Sequence, residues 1–154
     1  MGTGPDELSI QERLYPTLTC FGCGHANPKG LKLRSYLAGK AVVATFVPLP
    51  EHDNGVGYLN GGIISTVLDC HSAAAVMTEA ERRGWMPAPD APIGYVTAGL
   101  DVRYLRPTPL FEPLTLSAQV RSASESEMWV DVELSWDGKP RATAVATWRQ
   151  WRPR

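Results

Sequence analysis

From Gly61 to Arg83 the chain runs without proline, and after the pair Gly61-Gly62 it runs without glycine. In a chain that otherwise spends 14 Gly and 13 Pro freely, this stretch constrains the fold most. It predicts one main helix of roughly 22 residues, ended by Gly84. At 100° per residue, Ile63, Ile64, Val67, Leu68, His71, Ala74, Ala75 and Thr78 fall within one arc of about 140°. Asp69 falls near the far side, at about 240°, among Ser65, Ser72, Ala73 and Val76. The helix therefore has one bulky apolar face and one small-residue face that carries a carboxylate. That pattern predicts a helix covered almost all round.

The flanks read as strands. "LKLRSYLAGKAVVATFVPLP" predicts two extended segments joined at Ala38-Gly39-Lys40, and Val42–Val47 is apolar enough for a strand buried on both faces. "WMPAPDAP" is a proline-rich connection. After it, period-two alternation sets Ala98, Leu100, Val102 and Tyr104 on one face. The same alternation sets Leu114, Leu116, Ala118 and Val120 together, then Val130, Val132, Leu134 and Trp136, then Ala142, Ala144, Ala146 and Trp148. Asp137-Gly138 predicts a two-residue hairpin. The order is two strands, one helix, then four strands, an α+β chain with an antiparallel sheet on a single helix. One helix covers one sheet face, so the other face or an edge is expected to meet a second subunit.

The chain has 154 residues, 44% of them hydrophobic, which suits one domain with a real core. Residues 1–18 read as a polar, flexible arm and 19–154 as the domain. The net charge of −1 carries no run of one sign, so a nucleic-acid partner is not expected. No apolar stretch reaches the roughly 18 residues that span a bilayer. The first residues lack a basic-then-apolar leader pattern, so a cytoplasmic protein is expected.

Three cysteines are too few for a disulfide scaffold. Cys20-x-x-Cys23-x-His25 offers three donors where a structural zinc takes four, and Cys70 lies far off in sequence. Ordinary packing, with no metal, is the expectation. His71 on the apolar stripe is expected to be a buried, satisfied histidine.

Asp69 is a different matter. No other charged residue occurs between Asn60 and Thr78, so it does not belong to a solvated charged face. A buried charge is costly unless compensated. The helix also begins with glycines, where free N–H groups and the dipole favour an anionic oxygen. A carboxylate two turns further on is placed to act as base or nucleophile toward a polarised carbonyl. Arg103 and Arg106, with Lys29 and Lys32, are candidate phosphate contacts, and Arg106 before Pro107 is the strongest of them.

"NGVGYLNGGIISTVLD" resembles the signature of the hotdog-fold thioesterases, in the branch similar to phenylacetate-pathway and 4-hydroxybenzoyl-CoA-type enzymes. "LDVRYLRPTPLFEPLTLSAQV" resembles the strand and Arg-Pro corner that follow the helix in that family, and "CFGCGHANPKGLKL" resembles the lead-in of some members. The resemblance spans roughly residues 20–150. It implies a hotdog fold, an antiparallel sheet of about five or six strands wrapped around one long central helix. It implies an acyl-CoA thioesterase that releases a free acid and coenzyme A without cofactor or metal.

Under the resemblance, Asp69 matches the catalytic base or nucleophile. Gly61 or Gly62 matches the backbone N–H on the thioester oxygen, and Asn54 matches a loop asparagine that orients water or substrate. Asn60 stands where many relatives have histidine. It is a good helix N-cap but carries no proton at neutral pH. His52, Gly55, Ser65, Thr97, Arg103 and Arg106 are the candidate substrate contacts, although His52 reads first as a loop-surface residue. The partners implied are acyl-CoA and further copies of the chain, as a homodimer or homotetramer with the site between subunits. The competing expectation is a non-catalytic hotdog protein that binds acyl-CoA or serves assembly.

Overall fold

The protein was analysed as a computed structural model, which describes residues 7–87 and 93–152. In chain order the elements are α1 (Ile10–Leu14), β1 (Ser35–Ala38), β2 (Ala41–Phe46), a 3-10 turn (Pro50–His52), α2 (Gly61–Arg83), β3 (Tyr95–Tyr104), β4 (Leu114–Ala123), β5 (Glu127–Trp136) and β6 (Lys139–Gln150). The strands form one antiparallel sheet in the order β1-β2-β4-β5-β6-β3. It wraps around α2, the hotdog arrangement that the resemblance implied. The predicted proline-rich connection lies partly outside the described residues, at 88–92.

Helix α2 begins and ends where the pattern predicts. Asn60 caps its first turn, and Gly84 closes it in the left-handed conformation (φ 73°) that a side chain resists. Its apolar stripe, from Ile64 through Val67, Leu68, Ala74 and Ala75, is buried against the sheet. The opposite side is covered too, because Ser72, Ala73 and Val76 are also buried. The strands answer with Leu114, Leu116 and Ala118, with Val130, Val132 and Leu134, and with Ala142, Ala144 and Ala146, all buried as the alternation predicts. Each fully buried Leu-sized side chain contributes about 1.5–3 kcal/mol. The hairpin at Asp137-Gly138 has φ of 53° and 70°, as a type I′ turn requires.

Three expectations change. Strand β2 is not buried on both faces: Val42, Ala44 and Phe46 point inward, while Thr45 and then Val47 are exposed. The apolar run reflects β-branched propensity more than burial. Strand β3 carries a bulge between Thr97 and Gly99, with Thr97 opposite Trp148 and Gly99 opposite Thr147. One extra residue reverses the alternation. Thr97, not Ala98, therefore shares the helix-facing side with Leu100, Val102 and Tyr104.

The third concerns the expected flexible arm. Residues 1–6 lie outside the described residues, but from Ser9 the chain is packed. Ser9 and Glu12 form a reciprocal capping box on α1, and Ile10, Gln11 and Tyr15 are buried. The polar look of the segment hid a side chain with a specific task. Gln11 Nε2 donates to Ser35 Oγ (2.9 Å), and Gln11 Oε1 accepts from Ser35 N–H (2.8 Å).

The chain of contacts continues inward. Ser35 Oγ lies 2.9 Å from His71 Nδ1, and His71 Nε2 lies 2.8 Å from the Val42 carbonyl. A carbonyl only accepts, so Nε2 carries the proton and Nδ1 accepts from the Ser35 hydroxyl. Burial pushes the His71 pKa down to about 4. His71 is thus the neutral, satisfied core histidine expected from its position. His71→Leu keeps the bulk but strips partners from the Val42 carbonyl and the Ser35 hydroxyl. The expected cost is about 2 kcal/mol, read as a lower midpoint in urea denaturation with an unchanged slope. An unchanged midpoint would refute the network's role.

Candidate active site

The segment Asp53–Asn60 delivers the chain into α2 and is shaped by two Asx side chains. Asp53 Oδ1 accepts from the N–H groups of Gly55 and Gly57, and Asn54 Oδ1 accepts from those of Val56 and Tyr58. The loop ends at Asn60, whose Oδ1 accepts from Gly62 N–H (2.7 Å) and Ile63 N–H (3.3 Å). The cap therefore occupies Gly62. Gly61 N–H has no hydrogen-bond partner among the described residues.

Tyr104, at the end of β3, sits over this turn. Its hydroxyl donates to the Gly61 carbonyl (2.9 Å) and lies 2.7 Å from Ser65 Oγ. Asn54, Tyr58, Gly61, Tyr104 and Arg106 line one open cavity of about 550 Å³. Arg106 is held there by Nη1 donating to the Pro140 carbonyl (3.2 Å). The structure thus gathers Asn54, Gly61 and Arg106 at one place and puts Asn60 and Ser65 beside it. Tyr104 is a member that sequence reasoning missed. Its alternation marked it as an inward residue, but nothing in the pattern said that its hydroxyl reaches the helix start.

Asp69 is not in this cavity. It lies eight residues beyond Gly61, about 12 Å along the helix axis. It is half-buried, and its Oδ1 accepts from Thr97 Oγ1 (2.7 Å). Burial raises the Asp69 pKa, and the Thr97 hydrogen bond works against that rise. The bulge in β3 is what brings Thr97 to this carboxylate. One helix therefore carries two separate chemical features: an unpaired N–H at its start, and a supported carboxylate two turns on.

Other candidates lie elsewhere. His52 is not on the loop surface. It is buried, stacked on Phe46 (centroids 5.9 Å apart), and its Nδ1 accepts from Leu49 N–H. The Pro50–His52 turn folds the ring inward. Gly55 sits at φ 93°, where glycine is favoured, and serves the turn. Arg103 points to the outer sheet face, beside Asp101, Asp131 and Glu133, because it alternates with the inward Val102 and Tyr104. That acidic company is a poor setting for a phosphate. Lys29 and Lys32 are exposed on the lead-in.

The cysteines also depart from expectation. Cys70 is far from Cys20 and Cys23 in sequence but not in space: the three Sγ atoms lie within 4.8 Å of one another. His25 is not part of the group and turns to Glu12, with Nδ1 3.8 Å from Oε1. Hydrogen bonds from Cys23 and Cys70 pull the Cys20 thiol far below its ordinary pKa, and donating those bonds pushes the other two up. These thiols are the group among the described residues whose geometry suits a metal ion.

The sequence model of the Thioesterase superfamily matches residues 56–142, more than half of the chain. The chain belongs to the Thioesterase superfamily. The matched stretch contains α2 with Gly61 and Asp69, and strands β3 to β5. No curated protein matches at a significant level. Among solved structures, a Thioesterase superfamily protein from Shewanella loihica PV-4 is 27% identical, with a TM-score of 0.64 over 83% of this chain and 98% of its own. The E. coli PaaI protein from the phenylacetic acid degradation operon is 21% identical (TM-score 0.67, 82% and 85% covered). A Streptococcus mutans protein solved bound to acetyl-CoA is 19% identical (TM-score 0.63, 79% and 90% covered). At those identities the last two show the shared fold. Among the described residues of this thioesterase-superfamily chain, no helix is long and apolar enough to cross a membrane.

Asn60 is the position with the clearest local consequence. Asn60→Ala removes the acceptor for two N–H groups and is expected to lower stability by about 1 kcal/mol, whereas Asn60→Asp, also a good cap, is expected to hold it. Urea denaturation of both variants checks this, and equal stability of Asn60→Ala and wild type would contradict the capping role.

Proposed function

We propose that the protein is an acyl-CoA thioesterase whose site is completed by a second copy of the chain. The observation that carries the reading is the pair of features on α2: the unpaired N–H of Gly61 and the Thr97-supported carboxylate of Asp69. Membership of the Thioesterase superfamily supports the reaction class. The acetyl-CoA held by the Streptococcus mutans protein of the same fold supports the ligand class.

The 12 Å between the two features sets the geometry. A thioester carbonyl held at Gly61 is out of reach of the same chain's Asp69. A site that uses both needs Gly61 from one copy and Asp69 from another, which a two-fold arrangement supplies twice over. At such a site the Gly61 N–H, aided by the positive end of the helix dipole, stabilises the oxygen as it gains charge. The Asp69 carboxylate takes a proton from water as the water attacks the carbonyl carbon, or attacks that carbon itself. The C–S bond then breaks, and coenzyme A leaves as thiolate and is protonated. Attack by water leaves the carboxylic acid directly, whereas attack by Asp69 leaves a mixed anhydride that a water then hydrolyses to the acid, restoring the carboxylate. Thr97 holds the carboxylate in place, and Tyr104 and Ser65 fix the turn that presents Gly61. Arg106, on the cavity rim, is a contact for coenzyme A phosphate. Asn60 caps the helix, and its amide has no titratable proton to deliver near neutral pH.

A panel of acyl-CoA thioesters with a thiol-reactive reporter tests the reaction. Asp69→Asn is expected to lower kcat/KM by about 100-fold or more. Turnover that survives the substitution would remove Asp69 from the mechanism. Saturable acyl-CoA binding without turnover would establish instead a binding protein, the reading that the proton-free Asn60 favours.

The shared-site geometry has its own test. Asp69→Asn and Gly61→Val proteins, each inactive alone, are expected to regain about a quarter of wild-type activity when their chains are mixed, because half of random dimers carry one intact site of two. No recovery in verified mixed dimers would contradict a site shared between copies.

A further inference from the structure

Three sulfurs meet where the segment between α1 and β1 crosses α2. Cys20 and Cys23 come from a tight loop and Cys70 from the helix. Sγ of Cys20 and Sγ of Cys70 are 3.6 Å apart, and all three sulfurs lie within 4.8 Å of one another. Three thiolates bound to one tetrahedral cation at the usual distance of about 2.3 Å would stand about 3.8 Å apart. A disulfide would need about 2.05 Å. The 3.6 Å between Cys20 and Cys70 fits the first spacing and not the second, and the third sulfur lies within 4.8 Å of both.

The loop is shaped for this approach. A Cβ on Gly22 would lie 2.3 Å from Cys70 Sγ and 2.9 Å from the Thr66 methyl group. A Cβ on Gly24 would lie 2.3 Å from the backbone nitrogen of Cys20. Glycine at both positions is what lets the loop close on the helix. The loop is pinned by Gly24 N–H donating to the Cys20 carbonyl (2.8 Å) and Leu33 N–H donating to the Gly22 carbonyl (3.0 Å).

A second observation points to the same spot. Tyr15 is 5% exposed, and its hydroxyl has no hydrogen-bond partner among the described residues. It lies within electrostatic reach of all three sulfurs. A buried phenol is ordinarily paired. Next to three neutral thiols, which accept weakly, its orphan state has no reason. Metal-bound thiolates would give that hydroxyl dipole a negative charge to face.

We propose that Cys20, Cys23 and Cys70 bind one thiophilic divalent cation of the zinc class as three thiolates. Cys20 is only part-buried, which leaves the fourth position to water. Each bound thiolate gives up its proton on binding, and the cation joins the lead-in loop to α2 one residue from Asp69. The site stands apart from the thioesterase reading, and its test needs no substrate.

The full-length protein, reduced and stripped with a chelator, is titrated with Co(II), and thiolate-to-cobalt charge-transfer absorption is followed. The expected result is saturation at one cobalt per chain, displacement by zinc, protection of three thiols from a thiol reagent, and a higher unfolding temperature with zinc. Cys70→Ser and Cys20→Ser are each expected to weaken binding at least ten-fold. Cys20→Ser is the safer variant because its side chain is part-exposed, and circular dichroism confirms that it folds. Wild-type protein with three reactive thiols and no charge-transfer band would overturn the proposal. So would a band that survives in both serine variants.

Discussion

Helix α2 is wrapped by its own sheet, and four of its polar side chains are answered from the strands. His71 is answered by Ser35 on β1 and the Val42 carbonyl on β2. Ser72 Oγ accepts from the indole N–H of Trp148 on β6 (2.9 Å), and Asp69 and Ser65 are answered by Thr97 and Tyr104 on β3. Hydrophobic burial is non-directional and would tolerate a small rotation of the helix. These hydrogen bonds would not, because a turned helix would leave several buried donors and acceptors without partners. The rotation of α2 is therefore set from at least three sides, and the direction in which Asp69 faces is set with it.

The same constraint separates the chemistry. The helix start is open because its first turn meets a loop and the end of β3, not the core. The carboxylate sits further along, where the sheet has begun to close over the helix. A single chain thus presents two features of different character, a dipole end at the helix start and a carboxylate held by Thr97. In the proposed function it is association of two copies that brings them together.

Much of this was legible in the sequence. The main helix, its glycine stop, the four later strands and their inward residues all followed from spacing, since period and turn chemistry are local properties. The position of Asp69 on a small-residue face was also readable, because it needed only the helical angle. What escaped was whatever depends on one residue more or less, or on meeting across the fold. The bulge at Ala98 exchanged Thr97 for Ala98 on the helix-facing side, and no local signal marks such an insertion. His52 looked like a loop histidine because its stacking partner, Phe46, belongs to another element. Cys70 looked remote because sequence distance says little about a loop that folds back onto a helix. Gln11 looked like part of a polar arm because its partner lies 24 residues on.

That glutamine has a wider consequence. Strand β1 is one border of the sheet, and the Ser35 N–H that Gln11 receives is a group that border would otherwise offer to a neighbour. This border is only four residues long, and a side-chain amide takes one of its donors. The other border, β3, runs for ten residues without such a guard. A sheet that could accept neighbours at one border only would pair with one copy of itself and then stop. Through Gln11, the small helix near the N-terminus occupies a donor on the border where such pairing could otherwise continue.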